Sequence, residues 1–283
     1  MPGEVRRMLE LFLLLLLAHF AGDFVFQDED MAQKKNGGGK TSQEVQSLLF
    51  HASIHFLLYL GVIVILVFGL HYSDIKWLFL IATLLAVSHL IIDWKKPCWE
   101  CIGINNRALI FMLDQALHIS IIILIINWLS KSSILTVLQS FELSNFFETV
   151  IFVIIGIILI TDFSNIFIRL FLETIKGPVN VEVAINKYND DGAETAPELS
   201  NPINNKENYK KTGRYIGNLE RSLTFLAVIS GAYEVLIGIY GTKTAMRFYE
   251  FNNKDFAEYY FIGTLLSALL AISIALFYRW VLG

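Results

Sequence analysis

Five of the six histidines stand four residues from another histidine or an aspartate, in four pairs: His19/Asp23, His51/His55, His89/Asp93 and Asp114/His118. Each pair lies inside or at the edge of a long apolar run. On an α-helix that spacing puts both side chains on one face, one turn apart. Imidazole and carboxylate are donors that zinc, manganese and iron accept. The eight side chains exceed one tetrahedral sphere, so spacing alone leads to an expectation of two divalent ions about 3.5–4 Å apart. Some of the aspartates could instead orient imidazoles through their outer nitrogens. An aspartate left off the metal, Asp23 or Asp93, is the candidate general base. The plainer reading is interhelical hydrogen bonding, which in a membrane gives roughly 0.6–2 kcal/mol per contact. That accounts for one or two pairs more readily than four.

The elements that must position these residues are membrane helices. Hydrophobic residues make up 55% of the 283-residue chain and charged residues 17%. Several apolar runs reach about 20 residues, the length that crosses a bilayer. The fold class expected is an all-α polytopic membrane protein of about seven transmembrane helices, at roughly 8–27, 47–70, 77–94, 107–129, 147–172, 216–241 and 257–281. Its first four helices are expected to form a bundle enclosing the His/Asp cluster. Arg6 and Arg7 before the first leucine run imitate a signal peptide. His19 and Phe20 interrupt the small-residue cleavage pattern, so the first helix is expected to be retained. The net charge of −4 gives no nucleic-acid footprint.

Basic residues set the orientation. Lys34, Lys35, Lys40, Lys95, Lys96, Arg107 and five lysines from Lys176 to Lys211 fall on one side; Arg6, Arg7, Lys76, Lys131, Lys243, Arg247 and Lys254 fall on the other. The expectation is an N-terminus outside and a C-terminus in the cytoplasm, in a cell inner membrane. All four pairs then share one half of the bilayer near its cytoplasmic face. Scattered core histidines have no reason to share a depth.

Along the chain, residues 1–130 read as a four-helix metal-binding unit and 131–176 as the fifth helix with its connection. Residues 177–213 read as a flexible cytoplasmic linker, polar and holding Pro178, Pro197 and Pro202, and 214–283 as a two-helix membrane unit. Gln27 and Gln115 are candidates to hydrogen-bond ligands or a substrate carbonyl. Lys95 and Lys96, with Arg107, stand where helices meet the cytoplasm and are candidates to hold an anionic substrate. A lone Cys98-x-x-Cys101 lacks the partner pair of a zinc ribbon. His71 has no partner at helical spacing. Gly39-Lys40-Thr41 imitates a phosphate-binding loop without its strand or first glycine. Asp162 within a span requires a partner, and Arg169 shares its helical face. Glu220, Arg221 and Glu234 raise the same question in the sixth span.

Several motifs together carry a resemblance. They are His19-Phe20-Ala21-Gly22-Asp23-Phe24 with Gln27, His51…His55, His89…Asp93 and Asp114-Gln115…His118. Further on stand Gly213-Arg214-Tyr215-Ile216-Gly217, Leu219-Glu220-Arg221, Lys243…Arg247-Phe248 and Glu258-Tyr259-Tyr260…Gly263-Thr264. The chain resembles the uncharacterised bacterial multi-pass membrane proteins grouped as domain of unknown function 3307. The resemblance implies a shared fold and site but no known reaction. Where that family has two alanines before the lysine, this chain has Gly241 and Thr242.

The function expected from the residues is a metal-dependent intramembrane hydrolase. It would act near the cytoplasmic leaflet on a lipid-like or membrane-embedded substrate. The alternatives are a metal-ion transporter or sensor, a di-iron oxidase, and a structural or partner-binding membrane protein. Paired Gly/Pro breaks at the ligands, usual in transporters, are absent. So are the Glu-x-x-His pairs of di-iron bundles.

Overall fold

The computed structural model describes residues 3–35, 41–70, 75–101, 103–131, 145–176, 202–252 and 254–282. Among them the regular structure is entirely helical. Six stretches are long and apolar enough to cross a membrane: Met8–Val25, Ser42–Leu66, Lys76–Lys95, Arg107–Leu129, Phe146–Ile175 and Phe256–Val281. The chain is an all-α, multi-pass membrane protein. Gly37 to Gly39, His71, most of 131–146 and the linker as far as residue 201 lie outside the described residues.

Two compact units divide it, Met1–Ile158 and Leu159–Gly283. The division falls inside the fifth span. In the first unit, α1 (Gly3–Phe20) runs into a π-helical turn at Ala21–Val25. A short α2 (Glu29–Lys35) precedes α3 (Ser42–Leu70) and α4 (Ile75–Lys95). After the single turn α5 (Cys98–Cys101) come α6 (Arg107–Lys131) and α7 (Asn145–Ile158). Helix α1 packs on α3 and α6, and α4 also packs on α3 and α6, which closes a four-helix bundle; α7 lies against α1.

The inward stripes recur every three or four residues, as a helix facing a core requires. They are Leu11, Leu15 and Ala18 on α1, Tyr59, Val62 and Leu66 on α3, Leu78, Ala82 and Leu85 on α4, and Ile122, Ile126 and Leu129 on α6, all buried. His19, His55, His89 and His118 stand one turn from Leu15, Tyr59, Leu85 and Ile122 on the same faces. Leu57, Val64, Phe79, Leu84, Ile91 and Leu124 point outward and are exposed, as lipid-facing residues are. Glu10 is fully buried; Arg6 bridges it to Glu148 of α7, 3.2 Å from each.

Local chemistry fixes the helix ends nearest the cluster. Asp28 caps α2 by accepting from the Met31 N–H at 2.7 Å. Thr41 and Glu44 exchange hydrogen bonds across the start of α3, at 3.1 and 3.3 Å, a capping box. The Thr41 of the phosphate-loop look-alike is therefore a helix cap. Asn106 caps α6 through the Leu109 N–H at 3.0 Å. Cys98 is an exposed free thiol.

The second unit begins with a π-helical turn at Leu159–Phe163. It continues through α8 (Ser164–Lys176), α9 (Pro202–Ser230), α10 (Glu234–Met246) and α11 (Lys254–Leu282). The segment 216–241, expected as a seventh span, is not one continuous helix. Gly231, at φ +75, ends α9 there: its N–H bonds to Val228 O at 3.2 Å, and the Ala232 N–H to Ala227 O at 2.9 Å. This is a Schellman cap, which glycine permits because it has no Cβ. Helix α10 then folds back along α9, with the Thr224 and Tyr240 hydroxyls 3.0 Å apart and Lys243 paired with Glu220. Helix α9 also starts earlier than expected, at Pro202 inside the predicted linker, since proline is well suited to a first helical position.

The charges of this unit find partners within it. Asp162 meets Arg214 at 2.6 Å. Arg221 is buried. It donates to Ile160 O and Asn165 Oδ1 at 2.5 Å, Asn218 Oδ1 at 2.7 Å and Ser267 Oγ at 3.3 Å.

Candidate metal centre

All eight side chains of the four pairs converge at the end of the bundle nearest α2 and α5, and all eight are buried. The rings stack across helices: His55 on His89 with centroids 3.6 Å apart, and His89 on His118 at 4.1 Å. The His19 ring centroid lies 5.6 Å from that of His55, 5.5 Å from His89 and 5.0 Å from His118.

Asp23 sits among them. Its Oδ1 lies 3.1 Å from both His51 Nε2 and His55 Nε2 and 3.5 Å from His89 Nε2. Its Oδ2 accepts from Gln115 Nε2 at 2.8 Å and is 3.7 Å from His19 Nε2. The π turn carries Asp23, and the Phe26 N–H to Ala21 O bond of 2.9 Å closes it. Such single wide turns are common at functional sites because they re-aim one side chain without ending the helix. Gly22 is needed for the same approach, since a Cβ there would stand 2.4 Å from His55 Cε1.

The donor atoms fall into three overlapping groups: His19, Asp23, His55 and His89; His51, His89 and Asp93; and Asp93, Asp114 and His118. Within each group they lie inside 4.8 Å of one another. Ligands around a tetrahedral ion with bonds of about 2.0–2.1 Å are separated by about 3.3 Å. The 3.1–3.7 Å contacts of Asp23 bracket that value. His19 Nε2, His118 Nε2, Asp93 Oδ1 and Asp114 Oδ1 are buried without a hydrogen-bond partner. Leaving such atoms unmet costs about 1–3 kcal/mol each, and a cation at the centre of a group would meet them. The Nδ1 atoms of His19, His51, His55 and His89 also lack hydrogen-bond partners, so stacking and packing set these ring orientations. The donor set fits a divalent ion.

Two lysines enter from the helix ends. Lys35 of α2 is buried, with Nζ 2.9 Å from Asp93 Oδ2 and 3.1 Å from His51 Nε2. Burial opposes its charge, but the carboxylates of Asp93, Asp23 and Asp114 outweigh that, and its pKa is raised. Lys96 Nζ lies 2.7 Å from Asp114 Oδ2. Of the predicted substrate residues, Gln115 and Lys96 thus reach the cluster. Lys95 is exposed, with Nζ 4.6 Å from the centroid of the Trp94 ring. Gln27 lies just past the π turn, its Oε1 buried without a hydrogen-bond partner. Lys35 was read from sequence only as an orientation signal, because no helical spacing links residue 35 to 51 or 93.

Residues 11–147 match a family model described as "Protein of unknown function (DUF3307)". This segment belongs to that family. It contains all eight residues of the cluster together with Lys35, Lys96 and Gln115. No curated protein and no solved structure matches the chain.

Proposed function

We propose that the N-terminal unit is a metal-dependent hydrolase working at one membrane face on a lipid-like or membrane-embedded substrate. One observation carries this reading: His19, Asp23, His55 and His89, from three helices, hold their donor atoms within 4.8 Å of one another. A divalent zinc, manganese or iron ion bound there would lower the pKa of water from about 15.7 toward 7 and polarise the scissile group. Gln115 holds Asp23 in place through its 2.8 Å hydrogen bond. Both Asp23 oxygens are engaged, whereas Asp93 Oδ1 has no hydrogen-bond partner. Asp93 is therefore the better placed of the two candidates for general base.

Packing below the cluster separates this reading from transport. Leu11, Leu15, Tyr59, Val62, Leu66, Leu78 and Leu129 line a cavity of only about 20 Å³ there. That is room for about one water. An ion route to the opposite leaflet would need polar groups along it. A substrate would instead reach the centre from the α2 end, which on this reading lies at the depth of lipid ester and phosphoester bonds.

The basic residues support placing that end on the cytoplasmic side of a cell inner membrane. With six spans, and α9–α10 as a hairpin that leaves on the side it enters, Lys243, Arg247 and Lys254 join the basic side. The C-terminus then lies outside with the N-terminus. The test of function is hydrolysis of phosphatidic acid, lysophospholipid and N-acyl lipid by the full chain in detergent micelles, followed by mass spectrometry. Chelator-sensitive product that is lost in His55→Ala is expected. No product from any bond class with metal bound would defeat the hydrolase reading.

A further inference from the structure

We infer that the Lys35 ammonium takes the place of a second cation, so that the centre holds one divalent ion, at His19, Asp23, His55 and His89. The inference rests on the reading of the cluster as a metal centre. The spacing of the pairs led instead to an expectation of two ions.

The three donor groups differ in their lysines. Among the described residues, no lysine hydrogen-bonds to His19, Asp23, His55 or His89. The second group is occupied at both ends by Lys35, which lies 3.1 Å from His51 Nε2 and 2.9 Å from Asp93 Oδ2. An imidazole nitrogen has one lone pair, so His51 Nε2 cannot accept from Lys35 and bind a metal together. The third group shares Asp93 with Lys35 and has Lys96 2.7 Å from Asp114 Oδ2. Lysine is almost never fully buried unless paired. Lys35 is 5% exposed and stands on a helix capped by Asp28. Ser47 ties that helix to α3 by donating to Met31 O at 3.2 Å.

Charge counting points the same way. The cluster already sets two ammonium groups, Lys35 and Lys96, against its three carboxylates, so a second divalent ion would add positive charge that nothing in this low-dielectric site balances, and burying unpaired charge is costly. Lys35 then supplies, as a fixed ammonium beside Asp93, the positive charge that a second metal supplies in dinuclear hydrolases.

Metal counting decides it. The full chain in detergent micelles is incubated with excess zinc, and separately with excess manganese, desalted, and analysed by inductively coupled plasma mass spectrometry. The expected count is about one ion per chain, rising toward two in Lys35→Ala and staying at one in Lys35→Arg and Lys95→Ala. Two ions in the unaltered chain would overturn the inference, as would a count of one that does not rise in folded Lys35→Ala. If Lys35→Ala fails to fold, the count in the unaltered chain and in Lys35→Arg still decides. A count of zero removes the metal reading as well. A count of one without hydrolysis of any lipid leaves this assignment standing and removes only the hydrolase.

Discussion

Each unit buries a polar cluster between helices, and the two are built on opposite terms. In the C-terminal unit the Arg221 guanidinium spends its donors on Ile160 O, Asn165, Asn218 and Ser267. Those acceptors are neutral and complementary. In the N-terminal unit the network is only partly met: His51 Nε2 lies 3.1 Å from each of Asp23 Oδ1, His89 Nε2 and Lys35 Nζ, more partners than its one proton or lone pair can serve, while His19 Nε2 and Asp114 Oδ1 meet no hydrogen-bond partner. A satisfied polar network orders helices. Converging ligand atoms that their neighbours satisfy only in part mark a place built for something else. Burial and residue type alone would have made the two clusters look alike.

The comparison breaks most sharply on substitution. His55→Ala or His89→Ala removes a donor of the four-residue group, and His89 is shared with a second. Each should lower metal affinity by more than ~10²-fold, beyond the 10–100-fold typical of supporting residues, and abolish hydrolysis with it. Competition with a chromogenic chelator measures the first and lipid turnover the second. Arg221→Met should do the reverse. It takes this donor from Ile160 O, Asn165 Oδ1 and Ser267 Oγ, whereas Asn218 Oδ1 keeps Asn165 Nδ2, and should destabilise that unit by about 3 kcal/mol, the upper figure for a buried polar group left unmet. Thermal unfolding in micelles should show the loss, with metal count unchanged. A fall in metal content equal to that of His55→Ala would end the distinction between the clusters.

The N-terminal cluster was legible because an α-helix preserves its i,i+4 spacing wherever it is put, and because unrelated core histidines would not fall four times at one depth. The apolar stripes fixed the bundle for the same reason. What escaped depends on irregular backbone. The π turn that aims Asp23 has no sequence rule comparable to a cap. Lys35 reaches Asp93 only because α2 is set down against α3, a matter of loop placement. The hydropathy of 216–241 hid the break at Gly231, although a glycine after a serine was a readable stop signal. Thr41-x-x-Glu44 was equally readable as a capping box.

Subtler variants sharpen the roles inside the candidate metal centre. Asp93→Asn should reduce turnover by about 10²–10⁴-fold, the range for general acid–base catalysis, while leaving the metal count near one. Asp23→Asn should lose metal and turnover together, because Asp23 belongs to the four-donor group. Equal metal loss in both would deny Asp93 the role of base. Gly22→Ala should act through geometry, since its Cβ would stand 2.4 Å from His55 Cε1. A misplacement of about 1 Å can cost ~10²-fold in rate, so turnover should fall further than metal affinity.

The smallest effect separates two adjacent lysines. Lys96 Nζ lies 2.7 Å from Asp114 Oδ2, whereas Lys95 turns to Trp94 and is exposed. Sequence position offers no reason to tell them apart, since both stand at the same helix end. Lys96→Ala leaves the buried Asp114 carboxylate without its charged partner. It should therefore weaken capture of an anionic lipid, read as KM, by roughly 10-fold, about 1.4 kcal/mol. Lys95→Ala removes a solvated charge and a ring contact worth about 0.5–1 kcal/mol at an exposed site. It should change KM by less than about 2-fold and leave metal content alone. If Lys95→Ala instead raises KM as far as Lys96→Ala does, general attraction to the basic face governs capture, and the buried contact with Asp114 has no special part in it.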